Sequence, residues 1–136
     1  MKLLIWNQTF SVNHPVLDQQ HQTIISLINS LYDILHGDQP THLLPKLLDQ
    51  LAEYTQTHFE AEESLLESLA YPHLQSHRAL HRWMSFKTSA IRAALAQNGA
   101  KSLSLDVLDF LKKWWFGHIQ GQDKQYASLF QVHSLE

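Results

Sequence analysis

Apolar residues recur at steps of three and four in four separate stretches of this chain, with short glycine-, proline- or asparagine-bearing breaks between them. That period places each stretch on one face of an α-helix. Ile24, Ile25, Ile28, Leu31, Tyr32 and Leu35 predict a first helix over about 18–36, with Asp18 as its N-cap and Gly37 ending it before a loop at Asp38 to Pro40. Thr41 opens the second helix, and Pro45 is tolerable in its first turn. Its inward stripe reads Leu47, Leu51, Tyr54, His58, Glu62, Leu65, Leu69. Tyr71-Pro72 breaks that helix, and Pro72 suits the first position of the next. The third helix covers about 73–97, with His77, His81, Met84, Ile91 and Leu95 inward and Asn98-Gly99 as its stop. The fourth starts near Ser102 or Ser104 and carries Val107, Leu108, Leu111, Trp114, Trp115 and His118, weakened near its end by Gly117 and Gly121.

Residues 1–17 lack any helical period. Trp6, Phe10, Val12 and Leu17 are spaced for docking an irregular arm, and Asn13-His14-Pro15 marks a turn. Gln122 to Val132 reads as a helical tail. Short connections make sequential helices antiparallel neighbours. The predicted fold is all-α: an antiparallel up-down-up-down four-helix bundle with an irregular N-terminal arm and a short helical C-terminal tail. It forms one domain over 1–134, and Leu135-Glu136 reads as a cloning scar.

Composition narrows the chemistry. With 136 residues, 44% hydrophobic and 17% charged, the chain has the makings of one globular core. A net charge of −3 without a basic run argues against nucleic acid. No apolar stretch approaches the roughly 20 residues that span a bilayer, and the opening residues are too short for a signal peptide. The absence of cysteine removes disulfides and thiolate metal sites and fits the cytoplasm. A metal would have to be held by histidine and carboxylate, and ten histidines are present.

Seven polar groups fall on the inward stripes: His21, His58, Glu62, His77, His81, His118 and Asp123. Burying such groups without partners is costly. His58/Glu62 and His77/His81 are four apart, about one helical turn, so each pair projects from a single face. Imidazole with carboxylate suits iron, zinc, copper or manganese. Seven donors exceed one tetrahedral site but suit two octahedral ions with one position open, and Glu62 and Asp123 are the natural bridges. His118 and Asp123 are five apart and would diverge by about 140° in a regular helix, which predicts a π-type distortion near Gly121. His14, His36, His42 and His133 lie in loops or at helix ends and read as solvated, and His73, which extends the His77/His81 spacing backwards, falls in the first turn beside Pro72 and reads as no ligand. Glu63 points about 100° from Glu62 and reads as a surface residue, like Glu53, Glu60 and Glu67.

Four segments also carry a family resemblance. SVNHPVLDQQH opens the first helix with an aspartate and a Gln-His pair. HFEAEE has the form His-Phe-x-x-Glu-Glu. YPHLQSHRALHRW places two histidines four apart after a Tyr-Pro turn. WWFGHIQGQDKQY sets an aspartate five residues after a histidine, then a tyrosine. In order and spacing they resemble the bacterial hemerythrins over nearly the whole chain. The resemblance implies two irons bridged by an oxo or hydroxo group, with O2 bound at the iron that keeps an open position. It implies His77, His81 and His118 on one iron, His21 and His58 on the other, and Glu62 and Asp123 as bridges. Small anions such as azide would bind at the same open position.

Two positions depart from the family's pattern. Asn13 stands where glycine is usual and predicts a left-handed turn. Trp115 stands where leucine usually faces the O2 pocket, and an indole there would narrow it. Five imidazoles against two carboxylates leave the cluster net positive, which favours ferrous iron and reversible binding over O2 activation. The implied roles are oxygen carrier, store, or O2/redox-sensing domain. The sensing role includes one excised from a larger signalling protein, such as a diguanylate cyclase or chemotaxis receptor. A di-iron oxidase or peroxidase-type enzyme is the alternative class.

Overall fold

A computed structural model describes residues 6–37, 41–99 and 105–134. Four helices dominate it: α1 (Pro15–Leu35), α2 (Leu44–Ser68), α3 (Leu74–Asn98) and α4 (Leu105–Gly117). A π-turn (His118–Gln122) and a 3-10 turn (Asp123–Tyr126) follow, and α5 (Ala127–Ser134) closes the described chain. No helix among the described residues is long and apolar enough to cross a membrane. The expected N-cap at Ser102 or Ser104, the Asp38–Pro40 loop and the side chain of His133 lie outside what is described.

Two apolar clusters fill the bundle, and the predicted polar donors lie between them. The larger includes Ile24, Ile28, Leu51, Met84, Leu111 and Trp115. The smaller gathers Val12, Leu17, Leu66, Tyr71, Tyr126 and Ala127. Along α1 the order is small cluster (Leu17), donor (His21), large cluster (Ile24). α2 reverses it, running from Leu51 through His58 and Glu62 to Leu66. α3 repeats the order of α1, and α4 with its turns repeats that of α2. The four helices therefore alternate in direction, as the short connections predict. α1 packs on α2 and α4, and α2 packs on α3. Each fully buried Leu or Ile contributes about 1.5–3 kcal/mol, and this apolar material on both sides holds the polar layer in place.

Helix ends show where side-chain preferences were used differently from the prediction. α1 begins at Pro15, not Asp18, with His14 as N-cap: its Nδ1 accepts from the Leu17 amide at 3.3 Å. His14 is thus half-buried and packs edge-on to Phe130 (4.8 Å) instead of being solvated. Asp18 sits in the first turn, where a negative charge suits the helix dipole. Its carboxylate ties down the arm, accepting from the Val12 amide (2.8 Å) and the Ser11 hydroxyl (2.7 Å). Asn13 takes the left-handed conformation predicted for it, with φ 64°, and its side-chain amide donates to the Ala127 carbonyl. Phe10 and Val12 are fully buried, so the arm docks as its spacing suggests.

α2 ends at Ser68 with Ala70 at φ 54°, and Pro72 lies in the turn before α3 instead of at its first position. The buried face of α2 is also rotated from the predicted stripe. Leu44, Leu48, Leu51, Thr55, His58, Phe59, Glu62 and Leu66 are buried, while Leu47, Tyr54, Leu65 and Leu69 are half-buried flanks. The leucine-rich start offers two neighbouring stripes, and contact with both α1 and α3 widens the buried face beyond either.

Candidate metal centre

α1 delivers His21 in its second turn, α2 delivers His58 and Glu62 one turn apart, and α3 delivers His77 and His81 likewise. The fourth contribution needs the π-turn His118–Gln122. A π-turn closes i→i+5 hydrogen bonds, and the amide of Asp123 bonds back to the His118 carbonyl. The five-residue step thus becomes one turn, and Asp123 comes round to the side of His118. A Cβ at Gly121 would meet nothing within 4 Å, so glycine permits this turn without being demanded by space.

All seven predicted donors come together, each between 0% and 3% exposed. Their donor atoms form two groups: Glu62, His77, His81, His118 and Asp123, and His21, His58, Glu62 and Asp123. The carboxylates divide their oxygens between the groups. Glu62 Oε1 faces the Nε2 atoms of His77 and His81 (3.2 Å to His81), and Oε2 faces those of His58 (3.2 Å) and His21 (3.6 Å). Asp123 Oδ1 faces His77 (2.9 Å) and His118 (3.1 Å), and Oδ2 faces His21 (3.1 Å).

His77 Nε2 meets Glu62 Oε1 in a hydrogen-bonding direction, but most of the short distances are not so matched. The Nε2 atoms of His21 and His58 and both Asp123 oxygens are buried and have no hydrogen-bond partner among the described residues. His81 and His118 bring two imidazole Nε2 atoms within 3.2 Å of each other. Lone pairs that converge on shared points without hydrogens between them are what a bound cation satisfies. The residues present therefore fit metal ions.

In the metal-free chain, protons take the place of a cation in part of the cluster. Burial works against charge on His21, yet Asp123 and Glu62 outweigh it and raise the group to about 9; for His77 the same opposition ends at about 10. Burial prevails at His58 and lowers it. Burial would raise Glu62 and Asp123, but the surrounding imidazoles hold both below the ordinary carboxylate range. Without metal, protons on His21 and His77 balance the two carboxylates.

Three residues around the donors were not anticipated. Glu63, a surface residue by its helical angle, is instead half-buried and accepts from His81 Nδ1–H at 2.7 Å. Arg78 braces it (3.2 Å) and also reaches Glu67 (2.9 Å). Gln20 Oε1 accepts from His58 Nδ1–H at 2.7 Å. The Tyr126 hydroxyl donates to Glu62 Oε2 at 2.8 Å, and burial holds its proton well above the usual range. Such partners fix the tautomer and aim Nε2 inward. The doubled acid in HFEAEE and the Gln-His pair were the available signals for the first two. His36 and His42 are exposed, as predicted, and His73 is exposed as well, away from the donor cluster.

Trp115 is 1% exposed. Its ring lies 6.3 Å from that of His58 and 6.1 Å from that of His118, and stacks on Phe59 (5.7 Å), which in turn stacks on His81 (3.7 Å).

Comparison with known proteins agrees with this geometry. A bacteriohemerythrin of Stenotrophomonas maltophilia is 29% identical over 133 residues, covering 98% of this chain and 85% of its own. A myohemerythrin of Theromyzon tessulatum is 26% identical over 121 residues, covering 89% and 88%. A crystal structure of wild-type hemerythrin superposes with a TM-score of 0.85 at 26% identity, over 94% of this chain and 98% of that one. The hemerythrin HHE cation binding domain matches residues 13–130, and the chain belongs to the hemerythrin family.

Proposed function

We propose that this chain binds dioxygen reversibly at a pair of iron ions. His77, His81 and His118 hold one, His21 and His58 hold the other, and Glu62 and Asp123 bridge them. The observation that carries this reading is the division of each carboxylate between two unequal donor groups. The group with only two imidazoles would leave room for an outside ligand. Iron held by these residues would supply reversible electron transfer to dioxygen.

The side chains set the conditions for that exchange. Five imidazoles, neutral when they ligate, and two carboxylates give the centre a positive charge, which favours the ferrous state. Glu63 and Gln20 keep His81 and His58 in one tautomer. The Tyr126 hydroxyl satisfies a Glu62 oxygen and restrains the bridge. Trp115 and Phe59 form an apolar wall beside His58, so that water is disfavoured there and a small ligand must pass the indole.

The test is iron content followed by an optical titration. Two irons per chain are expected. Dithionite-reduced protein should develop a charge-transfer band with O2 that fades on deoxygenation, and the ferric form should bind azide. One metal per chain, or oxidation with no reversible band, overturns the reading. A slowly decaying oxy form fits carriage or storage, and a rapidly decaying one fits redox sensing.

A further inference from the structure

Of the four tryptophans in the chain, three lie where α3 meets α4. Trp83 follows His81 by two residues, points outward and is 41% exposed. Trp114 lies four residues before His118, on the same helical face. The Trp83 and Trp114 rings stack at 5.6 Å and 28°. The Trp114 ring stacks on His118 at 4.9 Å and 23°. His118 Nε2 reaches Asp123 Oδ1 at 3.1 Å. One column of rings thus runs from solvent to the donor cluster.

Packing alone explains aromatic pairs in a core, where they add about 0.5–1.5 kcal/mol beyond area burial. At the far end of the column Trp83 also packs against Phe110 (5.9 Å) yet keeps 41% of its surface exposed, so the column opens to water. Indole is among the most readily oxidised side chains, and the chain has no cysteine to compete. Tyr126, a second oxidisable ring beside the centre (5.8 Å from His77), is fully buried, and its ring neighbour Tyr71 is 8% exposed, so that path opens to solvent far less than the one ending at Trp83. Trp115 is buried as well.

We propose that Trp83 and Trp114 form a one-electron route through which a surface reductant supplies the electrons for hydrogen peroxide consumed at the metal centre. The inference rests on the centre holding iron as described above. Peroxide takes up two electrons and two protons, its O–O bond breaks, and two waters leave. The electrons travel singly from Trp83 through Trp114 to the face of His118. Each departure oxidises the Trp83 indole. The Lys87 ammonium, 5.7 Å above that ring, opposes a second positive charge, so the indole N–H proton passes to water. An ene-diol reductant such as ascorbate then returns one electron and one proton. Two passes balance the reaction: peroxide and ascorbate become water and dehydroascorbate. This clears a by-product of an oxygen-binding centre without oxidising its ligands.

The experiment uses iron-loaded protein whose iron content is measured first. One equivalent of hydrogen peroxide is added without reductant, the radical is trapped by freeze-quench electron paramagnetic resonance, and oxidised residues are mapped by peptide mass spectrometry. The expected result is a tryptophanyl signal, with oxygen added at Trp83 in preference to Trp6 and little change in metal-free protein. Trp114→Phe, at equal iron content, should lower Trp83 oxidation and ascorbate-dependent peroxide consumption roughly tenfold. If that variant holds less iron, Trp83→Phe at the exposed end should give the same loss of consumption with iron unchanged. Oxidation shared equally with Trp6, a tyrosyl radical at Tyr126, or a rate indifferent to both substitutions overturns the route while leaving the iron site intact. A chain that takes up no iron overturns the site itself, and the route with it.

Discussion

The two halves of the centre are held differently. In the three-imidazole half, His81 donates to a carboxylate, Glu63, which Arg78 braces from outside. In the two-imidazole half, His58 donates to a neutral amide, Gln20; each half also holds one imidazole, His21 or His118, whose Nδ1 has no hydrogen-bond partner among the described residues. A carboxylate behind an imidazole strengthens it as a ligand and fixes its orientation more firmly than an amide does. On the proposed function, the first half would keep its ion and the other would tolerate a changing partner. A symmetric frame would leave neither ready to exchange a ligand.

Removing what the halves share should erase the contrast. Glu62→Ala takes an oxygen from each half, and metal content should fall from two per chain towards zero. It also strands charged, buried His21 and His77, a loss of about 3–5 kcal/mol in the metal-free protein. Metal analysis and thermal unfolding read both, and retention of two metals would remove Glu62 from the bridge.

Glu63→Gln should sharpen the contrast. It weakens the carboxylate behind His81 alone, and affinity should drop about 10–100-fold for one of the two ions. Chelator competition would show one ion released early and one late. Gln20→Leu should affect the other ion, and by less. Equal loss of both ions in either variant contradicts the assignment of a separate brace to each half.

Protons report the halves together. His21 (about 9) and His77 (about 10), one from each half, are raised above the unfolded value near 6.5 and are charged at pH 7 in the metal-free protein. Ligation needs them neutral, so loading at pH 7 should release about two protons, measurable with an indicator in weak buffer. Metal affinity should climb with pH towards 10. Because both values are raised, their contribution to the stability of the metal-free bundle is complete below about 6.5 and is lost as pH rises through 9 to 10. Loading without proton release would contradict this charge state.

The smallest effect concerns access. Trp115→Leu should leave iron content unchanged and speed azide association and autoxidation, roughly tenfold or less. Unchanged rates would make the indole a packing residue only.

Much of this was readable in the sequence because it is local. A step of four residues fixes which side chains share a helix face, so the pairs His58/Glu62 and His77/His81 announce themselves. A step of five announces a distortion before His118 and Asp123 can meet. What periodicity does not encode is which neighbour a face will meet. Glu63 lies about 100° round from Glu62, and only the approach of α3 turns that flank into a contact with His81. The Gln-His pair and the tyrosine after Asp123 set Gln20 and Tyr126 beside donors but not which group each would bond, because their partners are 38 and 64 residues away. At the start of α1, Asp18 matched the preference for an N-cap, but its carboxylate was taken by the arm and His14 capped instead.

The π-turn after α4 has a bearing on anyone who would transplant this centre. Copied onto ideal straight helices, the seven donors would not reassemble, because a regular fourth helix would carry Asp123 about 140° away from His118. Glu62 and Asp123 are the two carboxylates that face both donor groups, so one of them would be missing. The surplus residue wound into His118–Gln122 belongs to the parts list as surely as any histidine. A designer would have to copy a flaw in the helix along with the side chains.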